Sequence, residues 1–170
     1  MRKTYIIISV LLTIFAPALA TANDTITLNG TIVAPSCDIS TTEATQNISL
    51  GVVPANSLTS IGQLSAPVPF SIHLTNCNYP STLMWTYTGT ADDSGNNLAL
   101  TDAADVAKGI NVGIYSDASG STPVNLNSQQ SIALTTDSHT LDTWLAYKVT
   151  SLPVSAGSAN AILYIDFAYQ

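Results

Sequence analysis

Apolar and polar residues alternate along most of this chain. The period is the two residues of a β-strand, not the 3.6 of a helix. In "TITLNGTIVAPSC", residues 25 to 37, Ile26, Leu28 and Ile32 fall in one row with Gly30, and Thr25, Thr27, Asn29 and Thr31 fall in the other. "QNISLGVV" repeats the pattern through Ile48 and Leu50. A strand is expected from Val68 to Cys77, with Phe70, Ile72 and Leu74 on one face; Pro67 and Pro69 mark an edge or the start of a strand. Leu83, Trp85 and Tyr87 alternate with Met84 and Thr86, and Ile110, Val112 and Ile114 form a further row. "VNLN", "QSIALTT" and "TWLAYKVTSL" read as three more strands, the last two divided by a turn at "DSH". "TADDSGNN", "ASGSTP" and "PVSAGSAN" read as turns, and Pro54, Asn56 and Gly62 as loop. Many short strands separated by such turns predict an all-β sandwich.

The first residues follow a different rule. "MRK" is basic, "TYIIISVLLTIF" is apolar and "APALATA" is small, the order of a secretory signal peptide. The apolar run is shorter than the roughly 20 residues a membrane span needs. Cleavage is expected after Ala20 or Ala22, with the second frame setting the signal at 1–22. Removing Arg2 and Lys3 leaves Lys108 and Lys148 against eleven carboxylates, a net charge of −9. So acidic a chain does not bind nucleic acid through phosphates. The two cysteines, Cys37 and Cys77, are expected to pair in an exported protein. That cross-link is expected to add about 3–4 kcal/mol by loop closure.

Candidate chemistry is sparse. His73 lies on the polar side of its strand and His139 is placed in a turn; neither has a ligand or base at catalytic spacing. No zinc spacing and no G-x-S-x-G elbow occurs. "DDSGNN" lacks the closing acid of a calcium loop. No enzymatic activity, metal or cofactor is expected. Trp85, Trp144 and the tyrosines allow one alternative, a free-standing secreted carbohydrate-binding module.

The two ends belong together. In "ANAILYIDFAYQ", Ala161, Leu163, Ile165, Phe167 and Tyr169 form one face, while Ile162, Tyr164 and Ala168 make the other apolar as well, interrupted by Asp166. Such a strand is expected to be buried inside a sandwich. At an edge it would lack the charges and prolines that protect edges, so another strand is expected beside it. The alternating segment after the signal peptide is a candidate, if a neighbouring molecule supplies it.

With "TITLNGTIVAPSC", "HLTNC", "TYTGTADDSGNNLAL", "GINVGIYSD" and "LPVSAG" in this order, the chain resembles the pilin subunits of the chaperone–usher pathway, the type 1 fimbrial kind above all. Tyr169, next to last, and Gly157 match that family's C-terminal signature. The resemblance implies an incomplete immunoglobulin-like β-sandwich lacking its last strand, completed by donor-strand exchange. It implies a donor extension over 23–34, with Ile26, Leu28, Gly30 and Ile32 as the inserting row, and a pilin domain over 35–170. Gly157, Leu163, Ile165, Phe167 and Tyr169 are expected to meet a periplasmic chaperone or line the groove, together with the first core strand around Cys37. The implied partners are that chaperone, an outer-membrane usher and neighbouring subunits, and the implied destination is a fimbria at the cell surface. Rod, tip and adaptor roles stay open.

Overall fold

The computed structural model describes residues 37–40, 44–102 and 104–170. Within them the chain forms β1 (Asp38–Ile39), β2 (Val68–Thr75), β3 (Ser81–Gly89), β4 (Ile110–Tyr115), β5 (Pro123–Val124), β6 (Gln129–Leu134), β7 (His139–Val149) and β8 (Leu163–Tyr169), with one 3-10 turn at Ala55–Ser57. A five-stranded sheet runs β1-β2-β7-β4-β5 and a three-stranded sheet runs β6-β3-β8. All their ladders are antiparallel. This is the all-β sandwich that the alternation predicts. Ile26, Leu28, Gly30 and Ile32, like the signal peptide expected over 1–22, lie outside the described residues.

Each sheet turns one apolar row inward. Leu74 of β2, Leu83 of β3, Ile114 of β4 and Val149 of β7 are all nearly inaccessible. Two clusters make up the core. The first gathers residues such as Leu58, Tyr87, Leu98, Val112 and Leu145; the second gathers Ile72, Leu74, Cys77, Leu83, Leu134 and Leu141. Phe70, Trp85 and Ile165 pack against both and join them. The Tyr87 hydroxyl shares a buried 2.6 Å hydrogen bond with Thr143 Oγ1, which ties β3 to β7 across the sandwich. Burial pushes the Tyr87 phenol pKa up, against the opposing pull of that bond.

Several expectations shift. β2 stops at Thr75 because Asn76 takes a left-handed φ of 51° and turns the chain out of the ladder. Cys77 then meets Cys37 with their Cα atoms 4.1 Å apart, and the disulfide forms. Pro69 lies inside β2, opposite Trp144 of β7. β1 covers only Leu74 and Thr75, so among the described residues the other edge of β2 is free of a ladder at Pro69, where a missing N–H is tolerated. His139 is not in a turn: it opens β7, opposite Leu74. "VNLN" contributes only Val124 to a strand, since Asn127 turns left-handed at φ 59°. The outer face of the last strand is not buried, and Tyr164 and the preceding Ile162 are exposed.

Candidate functional site: the open flank of the sandwich

β8 is where the sandwich is least finished. Its ladder to β3 runs from Leu163 opposite Gly89 to Tyr169 opposite Leu83. Among the described residues its other edge carries no ladder. Leu163, Ile165, Phe167 and Tyr169 face the core, yet each is only half-buried, and the residues between them are exposed. A row this apolar would be shut away in a closed sandwich.

The half-buried residues divide between the two core clusters. Leu163 and Ile165 pack against the first, where Ile48, Leu50 and Val53 also pack. Ile165, Phe167 and Tyr169 pack against the second, where Cys37 and Ile39 also pack. The same clusters are therefore lined by β8 on one hand and by Cys37, Ile39, Ile48, Leu50 and Val53 on the other. "QNISLGVV" does not form the strand that its alternation predicts. Among the described residues no ladder pairs it, although Ile48 and Leu50 still turn towards the core. The Gln46 side chain donates to the Ser71 carbonyl at 3.2 Å, holding the start of this segment beside β2.

Of the residues singled out from the sequence, Ile165, Phe167, Tyr169, Cys37 and Cys77 come together in the second cluster, while Leu163 packs on the first. Gly157 does neither. It sits in the turn before β8, exposed, with the backbone of Asp105, Val106 and Ala107 against the place a Cβ would occupy. The main chain there is cross-linked by Ala107 N donating to Ser158 O at 2.9 Å and Ser158 N donating to Asp105 O at 2.8 Å. Ile48, Leu50 and Val53 went unassigned to any site in the sequence. Ile48 and Leu50 were signalled by the alternation, but Val53 breaks its phase: Val52, the next in that row, is 99% exposed and Val53 packs on the core instead.

The described side chains that line the flank are apolar. Trp85 packs against both clusters instead of standing on a surface as a sugar platform. Near the first cluster, an open cavity of about 680 Å³ is lined by residues including Leu58, Leu152 and Val154 and by no charged group. Among the described residues no three His, Cys, Asp or Glu side chains gather as a metal site would require. What such a surface can do is bury further apolar side chains and extend a backbone ladder.

Residues 26–170 match the family described as "Fimbrial protein". The chain is 31% identical over 152 residues to the fimbrial subunit type 1 of Salmonella typhimurium, covering 86% of this chain and 82% of that one. Its fold is similar to the P pilus rod subunit PapA, with a TM-score of 0.66 at 21% identity over 79% of this chain and 99% of that one. It is also similar to a subunit in a chaperone–usher pilus structure concerned with rod uncoiling, with a TM-score of 0.66 at 22% identity over 91% and 100% of the two chains.

Proposed function

Because this chain belongs to the fimbrial protein family, we propose that the open flank of its sandwich receives a β-strand from another molecule, and that its own N-terminal segment is the strand it gives. The chain is a structural subunit of a surface fimbria, and the relative it resembles in sequence is a fimbrial subunit, not an enzyme. In this reading residues 1–22 direct export and leave, 23–34 form the donor extension, and 35–170 form the acceptor domain. Ile26, Leu28 and Ile32 enter the flank beside β8, and Gly30 lets the two backbones approach closely. A periplasmic chaperone occupies the flank first, and an outer-membrane usher is where the next subunit's extension replaces it. Leu163, Ile165, Phe167 and Tyr169 contact both. Gly157 serves indirectly, by letting the turn before β8 lie against residues 105–107.

The observation that carries this reading is the half-burial of β8's inward row beside an edge without a ladder among the described residues. A strand laid there extends the ladder by backbone hydrogen bonds while alternate side chains fill the flank, the usual mode of strand addition. The test is deletion of Asn23–Thr31 in the full precursor expressed with its chaperone and usher. The truncated chain is expected to be captured by the chaperone and to form no fibres. Fibres from the truncated chain would show that the donor lies elsewhere.

A further inference from the structure

Tyr147 reaches across the sandwich. It lies on the inward row of β7, belongs to the first core cluster and is 9% exposed. Its backbone is a firm base. It pairs with Val112 of β4, its N–H donates to Ser65 Oγ at 3.0 Å, and its carbonyl accepts from Ser65 N at 2.9 Å. From that base the hydroxyl donates to the Ala159 carbonyl at 3.0 Å. Ala159 lies in the run that leads into β8, a strand of the other sheet. Ring, hydroxyl and hydrogen bond together bridge the about 10 Å between packed sheets. Burial pushes the Tyr147 phenol pKa up, so the donated proton is retained. The neighbours of Ala159 are tied as well: Ser158 to Asp105 and Ala107, and Asn160 O to Thr101 N at 2.7 Å. Of these bonds, that of Tyr147 comes from a strand of the opposite sheet.

Just beyond this run, Leu163 and Ile165 are half-buried and pack on the cluster that holds Tyr147. Removal of apolar surface from water drives such a row inward. The start of β8 therefore gains by sinking onto the core unless something holds it out. We infer that Tyr147 is a positioning residue for strand acceptance: its hydroxyl, bonded to Ala159, holds the run into β8 at the separation that leaves the edge of β8 open to an incoming strand. The inference rests on the donor-strand reading above. Without the bond, the chain divides between a held-out and a sunken position of β8. A strand enters the first alone, so its apparent affinity falls with that fraction. One hydrogen bond of ordinary net strength shifts the balance about fivefold. The loss falls on association, because a strand already laddered to β8 holds it out by itself.

The test is Tyr147→Phe in the full mature chain, kept dilute, with a labelled synthetic copy of residues 23–34 as the incoming strand. Fluorescence anisotropy gives its association and dissociation rates, and amide hydrogen exchange follows the chain itself. The association rate should fall about fivefold, the size of one hydrogen bond, with dissociation unchanged within about twofold. The Ser158 and Thr101 N–H groups should exchange faster, while those of β7 keep their rates. A merely structural loss would instead speed dissociation and exchange in β7 as well. Tyr87→Phe removes the other hydroxyl bond across the sandwich, to Thr143, and should leave the association rate as it is. If Tyr147→Phe does not accumulate, exchange in the unmodified chain without peptide decides. Protection of Ser158 and Thr101 supports a run held in place, and the rates of an unstructured peptide overturn it. An unaltered association rate in Tyr147→Phe, or an equal loss in Tyr87→Phe, would also overturn the inference and leave strand acceptance standing. An unmodified chain that takes up no peptide strikes the donor-strand reading, and this inference falls with it.

Discussion

Strands β7 and β8 alternate equally clearly, and the structure treats them in opposite ways. In β7 the inward residues Leu141, Thr143, Leu145, Tyr147 and Val149 are all buried, and the threonine is 1% exposed. In β8 the inward row is Leu163, Ile165, Phe167 and Tyr169, with no threonine among them, and none is buried. Burial therefore does not follow side-chain hydrophobicity here. It follows the number of neighbours: β7 lies between β2 and β4, whereas β8 has β3 alone among the described residues. On the donor-strand proposal, β8 is an interior strand whose second neighbour is supplied by another molecule.

The largest effect is expected from supplying that neighbour. A synthetic copy of residues 23–34 added to the acceptor domain would bury three branched side chains, worth about 5–9 kcal/mol in all. At roughly 2–4 °C per kcal/mol for a domain of this size, the melting temperature should rise by more than about 10 °C. A peptide carrying Leu28→Asp should lose most of that gain. Calorimetry with and without peptide decides the matter, and an unmoved transition would mean that β8 is an ordinary edge.

The comparison sharpens if one side chain is removed from each strand. Leu141→Ala opens a cavity in a closed part of the core and should cost about 3–5 kcal/mol with or without peptide. Ile165→Ala should cost less in the free domain, about 1–2 kcal/mol, because the side chain is already partly in water. With peptide bound, the cost at Ile165 should climb towards that at Leu141. Denaturant unfolding of both variants reads this, and equal losses in the free domain would remove the distinction between the two strands.

Much of the fold was legible because alternation is a local property. The rows of β2, β3, β4, β6, β7 and β8 can be read from neighbouring residues alone, as can the apolar character of Leu163, Ile165, Phe167 and Tyr169. Burial is not local, so nothing in "ILYIDFAY" says that its outer face, with Tyr164, would stand in solvent. The same reason hid Ile48 and Leu50. Their alternation suits a strand, but a ladder needs a partner, and none pairs them among the described residues. His139 was misplaced because "DSH" has turn composition, while its pairing with Leu74 is made by a strand far away in sequence. Gly157 could be singled out from its position, but the close backbone at residues 105–107 that requires a glycine there appears only in three dimensions.

The disulfide shares the second core cluster with the inward residues of β8, and its loss should be the next effect in size. Cys37 and Ile39 pack on the cluster that also carries Phe167 and Tyr169, and the bond to Cys77 fixes them at the end of β2. Replacing both cysteines by serine should lower stability by about 3–4 kcal/mol. It should also shrink the gain from the added peptide, since one side of the flank is then loose. A peptide gain that survives in full would show that residues near Cys37 take no part in holding the donor.

The smallest expected effect lies in the turn that links β3 to β4 and serves as a control. The Asp92 carboxylate sits in the turn after β3, partly screened from water. That desolvation disfavours its charge, but hydrogen bonds from Asn97, Ser94 and Asn111 outweigh it and hold the carboxyl well below the usual range. Asn97 Nδ2 and Asn111 Nδ2 donate at 2.8 and 2.9 Å and Ser94 Oγ at 2.7 Å, so the turn is pinned to β4, the neighbour of β7. Because the folded pKa lies below the unfolded value of about 3.9, this contribution is present above that pH and is lost as pH falls through the folded value. Asp92→Asn should cost about 1 kcal/mol at pH 7, and the gap to the unmodified domain should narrow as pH falls below about 4. The narrowing should be the same with and without the donor peptide, because the hydrogen bonds that hold Asp92 come from Ser94, Asn97 and Asn111 and none from β8. A gap that widens in acid would reverse the assigned sign. A gap that responds to the peptide would mean that the turn between β3 and β4 senses the filling of the flank beside β8.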